Sequence, residues 1–310
     1  MSAGSGKGEA GSAAALRGIF APVTTPFAEN GELDRSAFEH NVRAHLAHGL
    51  RGIVVAGSTG EAPLLDEHER ELLVEWARPQ VSGDRLLLAG VGAESTRTTL
   101  VYAERAAERG VDALLVVAPH YFGNAMTDDA LRGHYLRVAD ESTVPVVLYN
   151  IPKYMHFKLG SSLVQELAKH ENVIGIKDSS GERDLLATYL EAQSETFTVI
   201  TGSGQLWRTA LEMGARAGIL AVSLFAPSLS TAVAEAVARR DGATADALQS
   251  RLTPLAKIIV GELGIAGVKA AMDCVGLRGG APRSPLLPLG RAESERVRQL
   301  LRDAELPVAA

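Results

Sequence analysis

The sequence predicts an α/β fold, a (β/α)8 barrel carrying a C-terminal helical extension. Three observations lead there. Eight short apolar runs alternate with amphipathic stretches from residue 18 to about residue 240. The runs are continuously hydrophobic, as expected for parallel strands buried on both faces. The 310 residues also accommodate the roughly 250 that such a barrel takes. A doubly wound open sheet would use the same units, but its Gly-rich phosphate turn after the first strand is replaced here by "TTPFAENGELD".

The strand-like runs are "GIFAPVTTPF" (18–27), "GIVVAG" (52–57), "RLLLAGVG" (85–92), "ALLVVAP" (113–119), "VPVVLYN" (144–150), "VIGIKD" (173–178), "FTVITG" (197–202) and "AGILAVS" (217–223). Helical patterns fill the gaps. Residues 34–49 place Phe38, Val42 and Leu46 four apart, with Asp34 as N-cap and Gly49 as the stop. Residues 66–80 repeat the design, with acidic residues in the first turn. Similar stretches occupy 95–109, 127–140, 161–170, 182–195, 205–213 and 228–240. The expected organisation is a disordered tail over 1–14, the barrel over 15–240 and helices packed on it over 241–310.

Composition narrows the function. A net charge of −6 with no clustered Lys/Arg stripe argues against nucleic acid or an anionic membrane as partner. The single Cys274 excludes an intrachain disulfide framework and suits a reducing, cytoplasmic setting. No apolar run approaches a membrane span, and the small, polar N-terminus has no signal-peptide core. "GSGKG" near the start lacks the spacing of a phosphate loop. The eight histidines show no metal-ligand spacing, so no metal is expected. Trp76 and Trp207 fall within helix patterns and read as core.

Barrels of this kind place chemistry at the C-terminal strand ends. Polar residues gather there: "GSTGE" (57–61), "PHYF" (119–122), "YNIP" (149–152), "KDSSG" (177–181) and "TGSG" (201–204). Lys177 closes a strand otherwise built of aliphatics and glycine. It is either an ion-paired or snorkelling lysine, or a Schiff-base nucleophile. A poorly solvated amine is more often neutral and able to attack a carbonyl. The iminium so formed is an electron sink for breaking or making an adjacent C–C bond without a metal. Tyr149, at the next strand end, is either an amphipathic core residue or a proton carrier. Ser58 and Thr59 either cap the following helix or, with backbone N–H groups after Gly57, hold a carboxylate.

"GSTGE", "YNIP" and "GIKDSSG", in this order and spacing, resemble the dihydrodipicolinate synthase/N-acetylneuraminate lyase family over roughly residues 16–305. The resemblance implies a class I, imine-forming barrel acting on pyruvate and other 2-oxo acids. Lys177 would form the imine, Tyr149 act as acid and base, Ser58 relay its proton, and Thr59 hold the 2-oxo acid carboxylate. Tyr121 would enter a neighbouring subunit's site, which implies a tight dimer and usually a dimer of dimers. Gly202 would belong to the pyruvate pocket, and Leu220 would line it with its backbone.

The resemblance also bears on the second substrate. Dihydrodipicolinate synthases carry an arginine two positions beyond the YN-x-P proline; here Tyr154 stands there, beside Lys153. N-acetylneuraminate lyases carry an acidic element where this chain has Ser203 and Gly204. "RLLLAGVGAEST", "KDSSG" and "GIAGVKAAMDCVGLRGGAPRSPL" are most similar to 4-hydroxy-2-oxoglutarate aldolases, with Ser179 facing the distal end of the substrate. The residues at 153–156, "KYMH", depart from that subgroup. The expectation is retro-aldol cleavage of 4-hydroxy-2-oxoglutarate, without cofactor. The alternatives are condensation of pyruvate with aspartate semialdehyde, cleavage of a 2-oxo-3-deoxy sugar acid, and a catalytically idle 2-oxo acid sensor.

Overall fold

The computed structural model describes residues 12–308. Eight parallel strands close a barrel in chain order: β1 (Gly18–Pro22), β2 (Gly52–Val55), β3 (Leu86–Gly90), β4 (Ala113–Val117), β5 (Val146–Asn150), β6 (Val173–Asp178), β7 (Thr198–Thr201) and β8 (Ala217–Ile219), with β8 pairing back to β1. Every predicted strand is present. Most are shorter than their apolar runs, because hydrophobicity continues into the buried turns that leave the barrel wall. After Pro22 the chain turns away and closes a small antiparallel bridge between Phe27 and Leu33. After Ile219 it enters a tight turn over Ala221–Leu224, where Ser223 Oγ donates to the Leu220 carbonyl at 2.7 Å.

The outer layer comprises α1 (Arg35–Ala47), α2 (Glu67–Ala77), α3 (Thr96–Glu108), α4 (Asp128–Glu141), the one-turn α5 (Pro152–Met155), α6 (Ser161–Leu167), α7 (Arg183–Leu190), α8 (Trp207–Glu212) and α9 (Pro227–Ala238). The starts of α1 to α4 follow from local chemistry. Asp34, Asp66, Ser95 and Thr127 each accept from a backbone N–H in the first turn, which satisfies an otherwise orphaned donor. Asp66 and Glu69 form a reciprocal capping box. Helix α1 stops before Gly49, which adopts a left-handed φ of 73°. Trp207 is fully buried, its indole N–H donating to the Ser230 carbonyl at 2.9 Å, while Trp76 is half-buried against Phe38.

Past the barrel run α10 (Gly242–Pro254), a π-helical segment (Leu255–Glu262), α11 (Gly264–Cys274) and α12 (Arg291–Asp303). Pro254 marks the change of helix type: it has no N–H for the α-helical ladder and its ring crowds the preceding turn. Helix α12 buries Val297 and Leu301. The segment expected as a tail through residue 14 is ordered at its end. Ala13–Ala15 form a single helical turn, Ala13 is buried, and its carbonyl accepts from Thr198 Oγ1 at 2.8 Å. The hydroxyl of the first residue of β7 thus ties this turn to the barrel wall. Residues 1–11 of that expectation lie outside the described residues.

Candidate active site

Strands β5 and β6 run parallel with Tyr149 opposite Lys177 and Asn150 opposite Asp178. Register partners share a face and successive residues alternate between faces. Tyr149 and Lys177 therefore point together into the barrel mouth, whereas Asn150 and Asp178 point together toward the helices. The Lys177 Nζ sits 4.1 Å from the centre of the Tyr149 ring. Lys177 is only 5% exposed, too little for an ammonium snorkelling to water. Among the described residues no carboxylate pairs with it. The structural readings of a strand-end lysine are thereby removed, and what is left is a buried amine over a phenol.

Ser58, in the turn after β2, donates its hydroxyl to the Tyr149 phenol oxygen at 3.5 Å. That turn is stapled from several sides. The Glu61 N–H donates to the Ser58 carbonyl at 3.1 Å, and Thr25 Oγ1 donates to the Gly60 carbonyl at 2.6 Å. The outward pair is equally fixed. Asn150 Nδ2 donates to Asp178 Oδ1 at 2.8 Å, Ser180 Oγ donates to Asp178 Oδ2 at 2.7 Å, and Asn150 Oδ1 accepts from the Leu159 N–H. Burial pushes the Asp178 carboxyl above the usual aspartate range, against the lowering effect of these hydrogen bonds.

These side chains surround a cavity of about 180 Å³. Lys177, Tyr149, Ser58, Thr59, Ser179 and Gly202 all line it, so six of the predicted residues converge. Gly202 is demanded by close approach: a Cβ there would lie 1.9 Å from Ser179 Oγ and 3.1 Å from Lys177 Cε. Three of the expected residues stand outside this lining. Gly57 lines instead an adjoining cavity of about 490 Å³, which shares Ser58, Tyr149 and Tyr154. Leu220 is fully buried, and its neighbours Ile219 and Ala221 form the wall, because the chain bends into its tight turn there. Tyr121 is 78% exposed and touches neither cavity of its own chain; its ring meets Phe122 edge-on at 5.0 Å, and its N–H donates to Glu94.

Other parts of the site were marked in the sequence only through the resemblance. Lys153, at the mouth, donates from Nζ to the Gly261 carbonyl of the π-helical segment at 2.8 Å. Gly264, Ile265 and Val268 of α11 wall the cavity. Burial, and secondarily Tyr149, raise the Tyr154 phenol above the usual tyrosine range. No local pattern in the sequence places these residues around one cavity.

The sequence matches the model of the Dihydrodipicolinate synthetase family over residues 15–304. The chain belongs to that family. It is 36% identical over 296 residues to a 4-hydroxy-tetrahydrodipicolinate synthase of Xanthomonas axonopodis pv. citri, covering 93% of this chain and 95% of that one. It is 33% identical over 272 residues to a synthase of the same name from Exiguobacterium sp., covering 88% and 92%. The dihydrodipicolinate synthase of Aquifex aeolicus superposes with a TM-score of 0.89 at 28% identity, covering 95% and 100%. A prophage protein of E. coli K12 from the dihydrodipicolinic acid synthase family, solved in complex with pyruvate, superposes at 0.88 with 27% identity, covering 94% and 99%. The chain is thus an enzyme of the dihydrodipicolinate synthetase family. Both of these curated relatives are named 4-hydroxy-tetrahydrodipicolinate synthase, so the family expected from the motifs is shown and the 4-hydroxy-2-oxoglutarate aldolase subgroup is not.

Proposed function

We propose that the chain is a class I enzyme that binds pyruvate as an imine on Lys177 and makes or breaks a C–C bond at the pyruvate methyl carbon. The observation that supports it most is the buried, unpaired Lys177 amine set 4.1 Å from the Tyr149 ring, with Ser58 on the phenol. Lys177 adds to the C2 ketone, and Tyr149 protonates the resulting oxygen so that it departs as water. The Tyr149 phenolate left by that step takes a C3 proton to give the enamine, whose electron pair attacks an aldehyde carbon while the reprotonated Tyr149 gives its proton to the new alkoxide. Run backward, Tyr149 takes the hydroxyl proton, the C–C bond breaks onto the iminium, and water returns pyruvate and the free lysine. Thr59 and nearby N–H groups hold the carboxylate. The lysine supplies the electron sink, so the scheme uses no metal or cofactor.

For the aldehyde, the first reading is aspartate semialdehyde, condensed with pyruvate, supported by the relatives' names. The second is cleavage of 4-hydroxy-2-oxoglutarate to pyruvate and glyoxylate. It rests on Tyr154 standing at the position implied for arginine and on Ser179 within the cavity. We further place Tyr121 and Phe122 at a contact between copies of this chain, in a dimer or dimer of dimers, because both rings are solvent-exposed while Glu94 holds the Tyr121 backbone rigid. One structural neighbour is described as a monomeric dihydrodipicolinate synthase variant, so sedimentation is the direct test. A cytoplasmic setting remains an inference from the single Cys274.

Borohydride reduction with pyruvate, followed by peptide mass analysis, tests the imine. The expected product is one pyruvate-derived adduct on Lys177, absent in Lys177→Ala. Unmodified protein, or a Lys177→Ala variant with normal turnover, would reject the proposal and leave a 2-oxo acid sensor or other chemistry. Parallel assays of condensation and of pyruvate release from 4-hydroxy-2-oxoglutarate then choose the aldehyde.

A further inference from the structure

Within "GIAGVKAAMDCVGLRGGAPRSPL", and against the end of "GSTGE", lies a second buried lysine. Lys269, on α11, is fully buried, and its Nζ lies 2.6 Å from Glu61 Oε1, itself without exposed side-chain surface. The same Nζ donates to the carbonyls of Thr25 and Ala281, both at 2.9 Å. Glu61 Oε2 accepts from the Arg283 N–H at 2.8 Å. Glu61 adopts a left-handed φ of 59°, a backbone state that non-glycine residues hold only when their surroundings enforce it. The carboxylate therefore pins the end of the Ser58–Thr59 turn to the C-terminal extension.

We infer that the Glu61–Lys269 pair is a positioning device for the pyruvate half of the site: it sets Ser58 and Thr59 at the cavity by docking their turn against α11. Stability is a weak reason for such a pair, since two buried charges cost about as much to desolvate as they regain. Its location supplies a stronger one. Helix α11 also walls the cavity through Gly264, Ile265 and Val268, so one element shapes the pocket and fixes the carboxylate-holding turn. Lys177 sits on β6, on neither of the two segments that this contact joins. Neither Glu61 nor Lys269 touches the reacting atoms in this scheme.

The inference rests on the imine reading, and the test separates the two. In the Glu61→Gln/Lys269→Met double variant, Gln keeps an acceptor for Arg283 N–H and Met keeps the apolar stem beside Phe27, whose ring the Nζ overlies at 4.6 Å. Adduct formation on Lys177 is titrated with pyruvate in both proteins. The expected result is a half-saturating pyruvate concentration raised roughly ten- to a hundredfold, as for a binding group displaced on the ångström scale. The adduct yield at saturation is expected to stay unchanged. Unchanged half-saturation in folded double variant would overturn the inference and leave the pair purely structural. Should the double variant not fold, Glu61→Gln alone is titrated: a raised half-saturation supports the positioning role and an unchanged one overturns it. Failure of the unaltered protein to form an adduct would instead reject the imine reading.

Discussion

Asn150 Nδ2 donates to Asp178 Oδ1 at 2.8 Å, joining the last residues of β5 and β6 one register step beyond Tyr149 and Lys177. This outward clasp holds the two strand ends at fixed spacing and so sets the distance between phenol and amine. Its energetics set a first prediction. Burial raises the Asp178 carboxyl, so the folded state binds its proton more readily than the unfolded chain. Its contribution to stability is then fully present below the unfolded value near 3.9 and is lost as pH rises through the higher folded value. An asparagine at 178 keeps an uncharged acceptor for Asn150 Nδ2 and the Ser180 N–H, and its amide N–H can donate to Ser180 Oγ in place of accepting from it. Asp178→Asn is expected to leave the midpoint of thermal unfolding at pH 7 unchanged or higher; a marked fall would show that the ionised carboxylate stabilises the clasp.

Removing the phenol hydroxyl tests every proton transfer the scheme assigns to Tyr149, from imine formation to the C–C bond step. Tyr149→Phe keeps the ring under Lys177 and is expected to fold normally. Turnover should fall by roughly 10²- to 10⁴-fold, the usual weight of a positioned acid–base group. Ser58→Ala should cost no more than about tenfold, the value of one hydrogen bond, since its contact is long at 3.5 Å. Steady-state kinetics of both variants check the order; equal losses would make Ser58 a primary proton carrier.

Two glycines at the rim are expected to respond differently to alanine. At 202 the new methyl would lie 1.9 Å from Ser179 Oγ and 3.1 Å from Lys177 Cε, so the serine must swing away and the lysine is crowded. At 57 the methyl meets only Val54 Cγ1 at an ordinary 3.8 Å. Gly202→Ala should lose most Lys177 adduct formation, and Gly57→Ala should retain it. The reverse pattern in the trapping assay would contradict the placement of Lys177 against β7.

Acid stability depends on two histidines away from the site. Burial lowers His45 to about 3 and His134 to about 4, from an ordinary value of 6.5. Protonation is thus easier in the unfolded chain, and the stability these groups contribute, complete above pH 6.5, is lost as pH falls toward those values. Between pH 6.5 and 4 both act together, each with a slope of up to about 1.4 kcal/mol per pH unit. Chemical denaturation across that range should show stability falling with acid, less steeply in His45→Gln. An unchanged slope would mean that water reaches the ring in solution.

Lys177 was legible because a charged residue ending an aliphatic strand has few explanations, and Tyr149 because its strand ends one unit earlier. Ser58 and Thr59 followed from the rule that barrel chemistry collects at one rim, and Ser179 from the resemblance. Tyr121 was legible only as an expectation about a second copy; within one chain it faces solvent. Leu220 is buried beside Ile219 and Ala221, which line the cavity where the chain bends after β8, a detail no hydrophobic run encodes.

Strand number, order and buried faces are written in local patterns, since continuous apolar runs can pack only between a barrel interior and a helical coat. Pairings of other kinds are written nowhere locally. Glu61 and Lys269 meet across most of the chain, Lys153 finds a carbonyl in the π-helical segment, and Thr198 finds one at Ala13. Each contact joins groups that are ordinary in sequence and are chosen by what the closed barrel leaves unpaired. Burial makes an unsatisfied charge or carbonyl costly, and only the assembled tertiary structure decides which distant group lies close enough to answer it.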